Sequence, residues 1–355
     1  MSHNVSITGG SGYLGGDLLA RMGTASLPPY RKLYASVRTA EQADGVRQYG
    51  AEPLFFNLRD ELEVRTAVFD HEITVVFYLI DAVHYEPPSF FIQALSEVKE
   101  ATGLTVHFLH TTGAKLFSSH ANAPIDRPLL DTDPQLYEIQ KSQNPKLNIA
   151  RELKQAVRTN STVVELAEKY GVRGYVFVPC MVYGKSKGFG EPVSTLRQIY
   201  MIVRAAKTLG RVYRVDSDRP EWPVCHIADN TAVYIELLRK ILADENPSHG
   251  RNGYYLAASG SVAWDDLYDS IAAALVKRGV IADGSVTLAS EKNTEDMGTA
   301  IGVPKEMVHL QLGGKCTFIA RRAREELGWK PTYPAEHILE AADAEVEWVL
   351  EHLKD

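Results

Sequence analysis

The chain has 355 residues, 45% of them apolar, with a formal net charge of −7, so it is long enough to bury a large core without disulfides or metals. Its basic residues are spread evenly, which argues against a nucleic-acid partner, and its longest apolar runs, such as Val75 to Ile80, are far too short to span a bilayer. Three cysteines (Cys180, Cys225 and Cys316) stand far apart in sequence and odd in number, which argues against a disulfide framework or a zinc site and predicts buried, reduced thiols.

In chain order, Val5 to Thr8 predicts a first strand, so close to the N-terminus that no room is left for a signal peptide. Gly15 to Met22 predicts a helix, Lys32 to Val37 the second strand, Pro53 to Phe56 the third and Thr74 to Leu79 the fourth. Phe90 to Thr102 reads as a helix and Thr105 to His110 as a fifth strand. Arg151 to Tyr170 has helical periodicity, with Ala156, Val163, Val164 and Ala167 able to share one face, and Val172 to Val178 gives a sixth strand. This alternation predicts a parallel sheet with helices on both faces, because parallel crossovers need an intervening helix. After Gly184 the pattern loosens. Ser194 to Thr208, Asn230 to Leu242 and Ala263 to Arg278 read as helices, Gly253 to Ala257 as a strand, and a last helix starts near Ala335.

Directly after the first strand comes Thr8-Gly9-Gly10-Ser11-Gly12-Tyr13-Leu14-Gly15, with glycines 9, 12 and 15 in the spacing G-x-x-G-x-x-G. Gly9 permits a tight turn, Gly12 lets the backbone approach a pyrophosphate, and Gly15 allows close helix–strand packing. The N–H groups at the helix start then face the phosphates. The second strand ends Val37-Arg38-Thr39, with no Asp or Glu between Tyr30 and Ala40. An acid there would bond ribose hydroxyls, whereas an arginine accommodates an extra phosphate. The expected cofactor is therefore NADP(H), with NAD(H) as the alternative. Asn57 and Leu58, after the third strand, are placed to hold an adenine ring.

With these residues in view, the sequence resembles the extended short-chain dehydrogenase/reductases, also called the NAD-dependent epimerase/dehydratase family, over nearly its whole length. Thr8 to Gly15 is similar to that family's T-G-x-x-G-x-x-G loop, and Val178-Pro179-Cys180-Met181-Val182-Tyr183-Gly184 to its R-P-x-x-V-Y-G. Trp222 to Asn230 resembles F-V-H-V-D-D, and Ala320 to Pro331, ending Leu-Gly-Trp-Lys-Pro, its common C-terminal segment. The resemblance implies an α/β fold, a Rossmann doubly wound parallel sheet with a smaller C-terminal substrate lobe. Residues 1–184 would form the dinucleotide-binding domain, and 185–355 mainly the substrate lobe, interleaved with the sheet. It also implies a cofactor on Gly9, Ser11, Gly12, Tyr13, Leu14 and Gly15, with Arg38, Asn57, Leu58, Leu79, Thr111, Pro179 and Val182 completing its site.

The family further uses a Ser/Thr after the fifth strand and a Tyr-x-x-x-Lys pair, in which the lysine lowers the tyrosine's pKa so that the phenol exchanges a proton with substrate. Tyr137-Glu138-Ile139-Gln140-Lys141 has that spacing downstream of Thr112. Counting back from Pro179 leads instead to Ala150–Lys154, which has the lysine but no tyrosine, and Gly113 stands at the serine position. Thr112-Gly113-Ala114-Lys115-Leu116-Phe117 is also similar to the T-G-x-K-H-Y segment of the progesterone 5β-reductase/iridoid synthase-like enone reductases. That likeness implies Lys115 as a site lysine and Tyr137 as proton donor or oxyanion stabiliser.

The expected catalytic set is thus Thr112, Lys115, Tyr137 and Lys141, with no metal. The expected function is an NADP(H)-dependent oxidoreductase acting on a small carbonyl or enone compound. The alternatives are an NAD-retaining nucleotide-sugar epimerase/dehydratase and a catalytically degenerate cofactor-sensing protein. Asp229 is expected to cap the helix that follows it, and Lys185 to Phe189 to form a mobile loop over the substrate. A small-molecule substrate, a cytoplasmic location and a possible homodimer complete the expectations.

Overall fold

The computed structural model describes residues 3–145, 150–190 and 198–353. Its strands are β1 (Asn4–Ile7), β2 (Lys32–Val37), β3 (Glu52–Phe55), β4 (Val75–Tyr78), β5 (His107–Thr111), β6 (Leu129–Leu130), β7 (Arg173–Pro179), β8 (Met181–Tyr183), β9 (Tyr213–Arg214), β10 (Glu221–His226), β11 (Tyr254–Ala257), β12 (Gly260–Ala263), β13 (Thr287–Leu288) and β14 (Phe318–Ile319). Its α-helices are α1 (Tyr13–Met22), α2 (Ala40–Arg47), α3 (Glu61–Asp70), α4 (Glu86–Thr102), α5 (Leu136–Lys141), α6 (Ala150–Lys169), α7 (Gln198–Leu209), α8 (Ile227–Leu242), α9 (Trp264–Lys277), α10 (Glu291–Ile301), α11 (Lys305–Leu312), α12 (Arg322–Glu326) and α13 (His337–His352).

Seven parallel strands form the main sheet in the order β11-β7-β5-β4-β1-β2-β3. Each of β1, β4 and β5 is buried along its whole length, as strands covered on both faces must be. One core runs from Val5, Ile7 and Phe77 to Leu18, Leu19 and the α8 residues Leu237 and Leu238. The other joins Val76 and Phe108 to Val64 and Val68 of α3, Phe91 and Leu95 of α4, and Val163 and Ala167 of α6. The expected doubly wound parallel sheet is therefore present, and β11 shows the second half of the chain returning to complete it.

The register makes the site. Val5 pairs with Val75, Val75 with His107 and His107 with Arg173, so β1, β4, β5 and β7 run level and finish along one edge. Strand order reverses at β1/β4, and ligands of open α/β sheets bind outside the carboxyl ends of the strands at such a point. A smaller sheet, β12-β10-β8, continues from β7, with Val224 of β10 pairing with Met181 and Cys225 with Val182. Helices α2, α3 and α10 lie where apolar periodicity alone predicts none. Their starts are fixed locally: Thr39 and Asp60 cap α2 and α3, and Ser290 with Asn293 forms a capping box on α10. The helix expected from Ser194 is described only from Gln198; its earlier residues lie outside the described ones. Among the described residues no helix is long and apolar enough to cross a membrane.

Candidate active site

The glycine loop is built by contacts that only glycine permits. Gly9 has φ +72°, in the left-handed region, and its carbonyl accepts from Gly12 N at 2.9 Å. A Cβ on Gly15 would lie 2.2 Å from Gly9 O and 2.8 Å from Gly9 C, so α1 packs directly on the turn. Thr8 locks this turn to the neighbouring strand. Its N–H donates to Phe77 O and its hydroxyl accepts from Leu79 N, both at 2.9 Å, which brings Leu79 against Gly9. Gly12 offers no side-chain cap to α1, so the positive end of the helix and its first-turn N–H groups are presented to whatever fills the cleft.

Beyond that loop lies a cavity of about 830 Å³. Gly9, Gly12, Tyr13, Leu14 and Gly15 form one side, Leu79, Ala82 and Val83 follow β4, and Thr112 to Leu116 follow β5. Pro179, Cys180 and Val182 come from the β7–β8 edge, Glu152, Leu153 and Ala156 from the start of α6, and Met307, Leu310 and Gln311 from α11. The lining is mostly apolar, with a few polar atoms converging on it. Thr112 is held by its own N–H, which donates to Phe177 O at 2.9 Å, while its buried hydroxyl has no partner among the described residues. Such a group calls for a ligand or water. Lys115, on a 3₁₀ turn at Ala114–Phe117, donates from Nζ to Gln311 Oε1. No carboxylate pairs with it among the described residues, and burial pushes its ammonium down to about 8.

Of the residues expected from sequence, Gly9, Gly12, Tyr13, Leu14, Gly15, Leu79, Thr112, Lys115, Pro179 and Val182 are gathered around this one cavity. Ser11 sits at the tip of the loop, outside the cavity lining. Arg38, Asn57 and Leu58 stand outside it too, at the carboxyl ends of β2 and β3. Arg38 is exposed, with its backbone N–H donating to Gln42 Oε1 at 2.8 Å, and the Asn57 side chain accepts from Arg59 N at 3.1 Å.

Several expectations are corrected. Tyr137 and Lys141 do not line the cavity. The phenol donates to Glu165 Oε1 at 2.6 Å, Lys141 donates to the same oxygen at 2.6 Å, and Arg251 lies 4.8 Å from the centre of the tyrosine ring. Burial, followed by the Glu165 carboxylate, raises the tyrosine's pKa, the reverse of what a lysine-activated phenol needs. Thr111 does not line the cavity either; its hydroxyl bonds Tyr234 OH of α8 at 2.8 Å. Asp229 does not cap α8. His226 does, accepting from Ala228 N, while the Asp229 carboxylate accepts from Thr332 N and Tyr333 N at 2.9 Å each. The segment Lys185–Phe189 packs on the outside of the glycine loop rather than over the cavity. Lys187 N donates to Asp17 Oδ1 at 2.9 Å, and the Phe189 ring fills the space that a side chain at Gly45 would need.

The alternative Tyr-x-x-x-Lys position expected from the resemblance, Ala150–Lys154, falls where α6 begins. Lys154 one turn on does not line the cavity, while Glu152, Leu153 and Ala156 do. Sequence reasoning missed Trp222, Glu152 and the three α11 residues. The signal for α11 is present: Pro304 ahead of a segment whose apolar Met307, Val308 and Leu310 recur at helical spacing. The three cysteines are free, Cys225 and Cys316 buried and Cys180 facing the cavity.

No family model matches the chain. An oxidase of an Acremonium species, ucsJ, is 23% identical over 94% of this chain and 94% of its own length. Among solved structures, UDP-glucose 4-epimerase of Thermotoga maritima with UDP-glucose aligns at TM-score 0.61 and 16% identity, covering 99% of this chain and all of that one. A dTDP-glucose 4,6-dehydratase of Bacillus anthracis with NAD aligns at 0.64 and 10%, covering 99% and 97%. Bordetella bronchiseptica WbmH with NAD+ aligns at 0.60 and 14%, covering 99% of each chain. The chain has, over its full length, the fold of the NAD-dependent epimerase/dehydratase type of extended short-chain dehydrogenase/reductases.

Proposed function

We propose that the protein is an NADP(H)-dependent oxidoreductase acting on an apolar carbonyl or enone compound. The observation that carries this reading is that, among the described residues, a single lysine, Lys115, stands without an acidic partner in a mostly apolar cavity that opens directly onto the Gly9–Gly15 loop. The residues present fit a nicotinamide dinucleotide. Gly12 lines the cavity at the uncapped start of α1, and the buried Thr112 hydroxyl is left without a partner among the described residues where the cavity meets β5. When bound, the nicotinamide supplies or accepts the hydride. The first turn of α1 holds the pyrophosphate, and Arg38 accommodates the 2′-phosphate. Lys115, as the ammonium, donates a proton to the substrate oxygen during reduction and takes it back during oxidation. The Thr112 hydroxyl steadies the same oxygen, and the apolar walls exclude water, which strengthens both interactions. Lys115 thus takes the task that Tyr-x-x-x-Lys performs elsewhere in this fold. The relative named an oxidase supports redox chemistry.

The second reading, a nucleotide-sugar epimerase or dehydratase, is favoured by the names of the structural neighbours. The cavity speaks against it. Among the described residues no arginine and only one lysine line it, whereas a nucleoside diphosphate needs cationic partners and a sugar needs many hydrogen bonds. The test is NADPH oxidation followed by fluorescence with a panel of cyclic and aromatic enones and ketones, alongside chromatographic product analysis of UDP-glucose and dTDP-glucose incubated with the protein and NAD+, because epimerisation and dehydration return the hydride and consume no cofactor. Turnover of the apolar compounds that is lost in Lys115→Ala supports the proposal; turnover confined to the nucleotide sugars would replace it.

A further inference from the structure

The cavity lysine is held by a residue 196 positions away in the chain. Gln311 reaches Lys115 from α11, and the end of α11 is itself gripped by side chains from three separate parts of the fold. The Tyr268 hydroxyl donates to Leu312 O and Trp264 Nε1 to Gly314 O at 3.0 Å, both from α9. His120, on the short turn at Ser119–Ala121, bonds Gly313 O from Nε2 at 2.9 Å. Because a carbonyl only accepts, that nitrogen carries the proton. Asp216, in the loop before β10, accepts from Gly314 N at 2.9 Å and pairs its other oxygen with His309 Nε2 at 2.6 Å. Gln311 is therefore presented on a fixed wall.

The chemistry of the contact matters as much as its position. An amide oxygen accepts a hydrogen bond from an ammonium but carries no net charge, so it directs Nζ without pinning the proton as a carboxylate would. The ionisable groups around Lys115 are few. His120 is kept neutral by burial, with its pKa pushed down to about 4, and Asp216 and His309 pair with each other behind it. Glu152 is an exposed residue of the cavity lining, and burial raises the thiols of Cys180 and Cys316. None of these forms a hydrogen bond or ion pair with Lys115.

We infer that Gln311 is the positioning residue of this site: it aims the Lys115 ammonium into the cavity and, as a neutral acceptor, leaves its proton free to be transferred. This rests on the oxidoreductase reading only in naming Lys115 the proton donor; the hold on the amine is a property of the protein alone.

The experiment uses the full chain and reads the amine directly, by pH-dependent labelling with acetic anhydride and peptide-level mass spectrometry. Wild type is compared with Gln311→Glu and with Gln311→Met, which keeps the volume, and thermal melts run alongside. Half-maximal labelling of Lys115 near pH 8 in wild type should move up by about one to three pH units in Gln311→Glu. It should move down in Gln311→Met, and the alkaline limb of the reduction pH profile should follow. A merely structural role would lower both melts and leave the labelling midpoint where it was, and that result overturns the inference. Shifted labelling in a protein that binds no dinucleotide would retain the hold of Gln311 on Lys115 and remove the oxidoreductase reading.

Discussion

Two glycines of the loop should fail in different ways when replaced. At Gly12 an added Cβ would meet only Gly9 O, at 3.3 Å, and the backbone there (φ −86°) suits any residue. Gly12→Leu should therefore cost the fold about 1 kcal/mol or less, as exposed substitutions usually do. The rest of its side chain, however, would project over the first turn of α1, where the pyrophosphate must lie against the backbone. Affinity for NADPH should fall at least 100-fold, which corresponds to about 2.7 kcal/mol. At Gly15 the added Cβ would lie 2.2 Å from a backbone oxygen and 2.8 Å from a backbone carbon, and neither can swing aside. Gly15→Ala should thus cost roughly 1–3 kcal/mol of stability, as overpacking does, and weaken binding too. Thermal melts with fluorescence titration of NADPH separate the cases. The melt of Gly12→Leu should stay within a few degrees of wild type, and that of Gly15→Ala should not. Wild-type affinity in Gly12→Leu would refute the assignment of the loop as a phosphate cradle.

Other outcomes follow from the same geometry. Lys115→Ala should lower kcat/KM for carbonyl reduction by about 10²–10⁴-fold while the NADPH Kd stays within about threefold; unchanged steady-state kinetics would remove Lys115 from the chemistry. Because the ammonium is the donor, reduction should decline as pH rises through about 8 and oxidation should gain over the same range; an initial-rate profile flat from pH 7 to 9 in both directions would contradict this. Tyr137→Phe should leave kcat/KM unchanged and cost about 1 kcal/mol of stability, the worth of one hydrogen bond, measured by urea unfolding; a large loss of activity would return Tyr137 to the site. Burial holds His110 and His120 near pKa 4 in the folded chain, against about 6.5 when unfolded. Between those values the unfolded chain binds more protons, so the stability these two residues contribute is complete above pH 6.5 and is lost as pH falls toward 4. The slope should be about 1.4 kcal/mol per pH unit for each histidine, and His110→Met should remove one such slope from urea melts taken between pH 6.5 and 5.

The sheet was legible because its signal is local. Val5 to Thr8 and Thr74 to Leu79 are short apolar runs bounded by turn residues, and a glycine loop between the first strand and helix fixes the dinucleotide end of the fold. Tyr137 and Lys141 misled because a four-residue Tyr–Lys spacing carries no information about which way a helix faces. Here α5 turns both toward Glu165 of α6. Thr111 and Thr112 are neighbours that a strand sends to opposite faces, and the run of residues does not say which one meets the cavity. Asp229 looked like a cap because caps are recognised by position, whereas its partners at Thr332 and Tyr333 are a hundred residues away. Gln311 was out of reach for the same reason: its role exists only once α11 is docked on α9, Asp216 and His120.

The most direct test of the account is calorimetric titration of the purified protein with NADPH, NADP+, NADH and NAD+, repeated with Arg38→Ala. The phosphorylated forms should bind about 10–100-fold more tightly than their counterparts, the worth of charge-assisted hydrogen bonds to one phosphate, and Arg38→Ala should abolish the difference. Tighter binding of NAD+ or NADH, or no binding of any of the four, would contradict it.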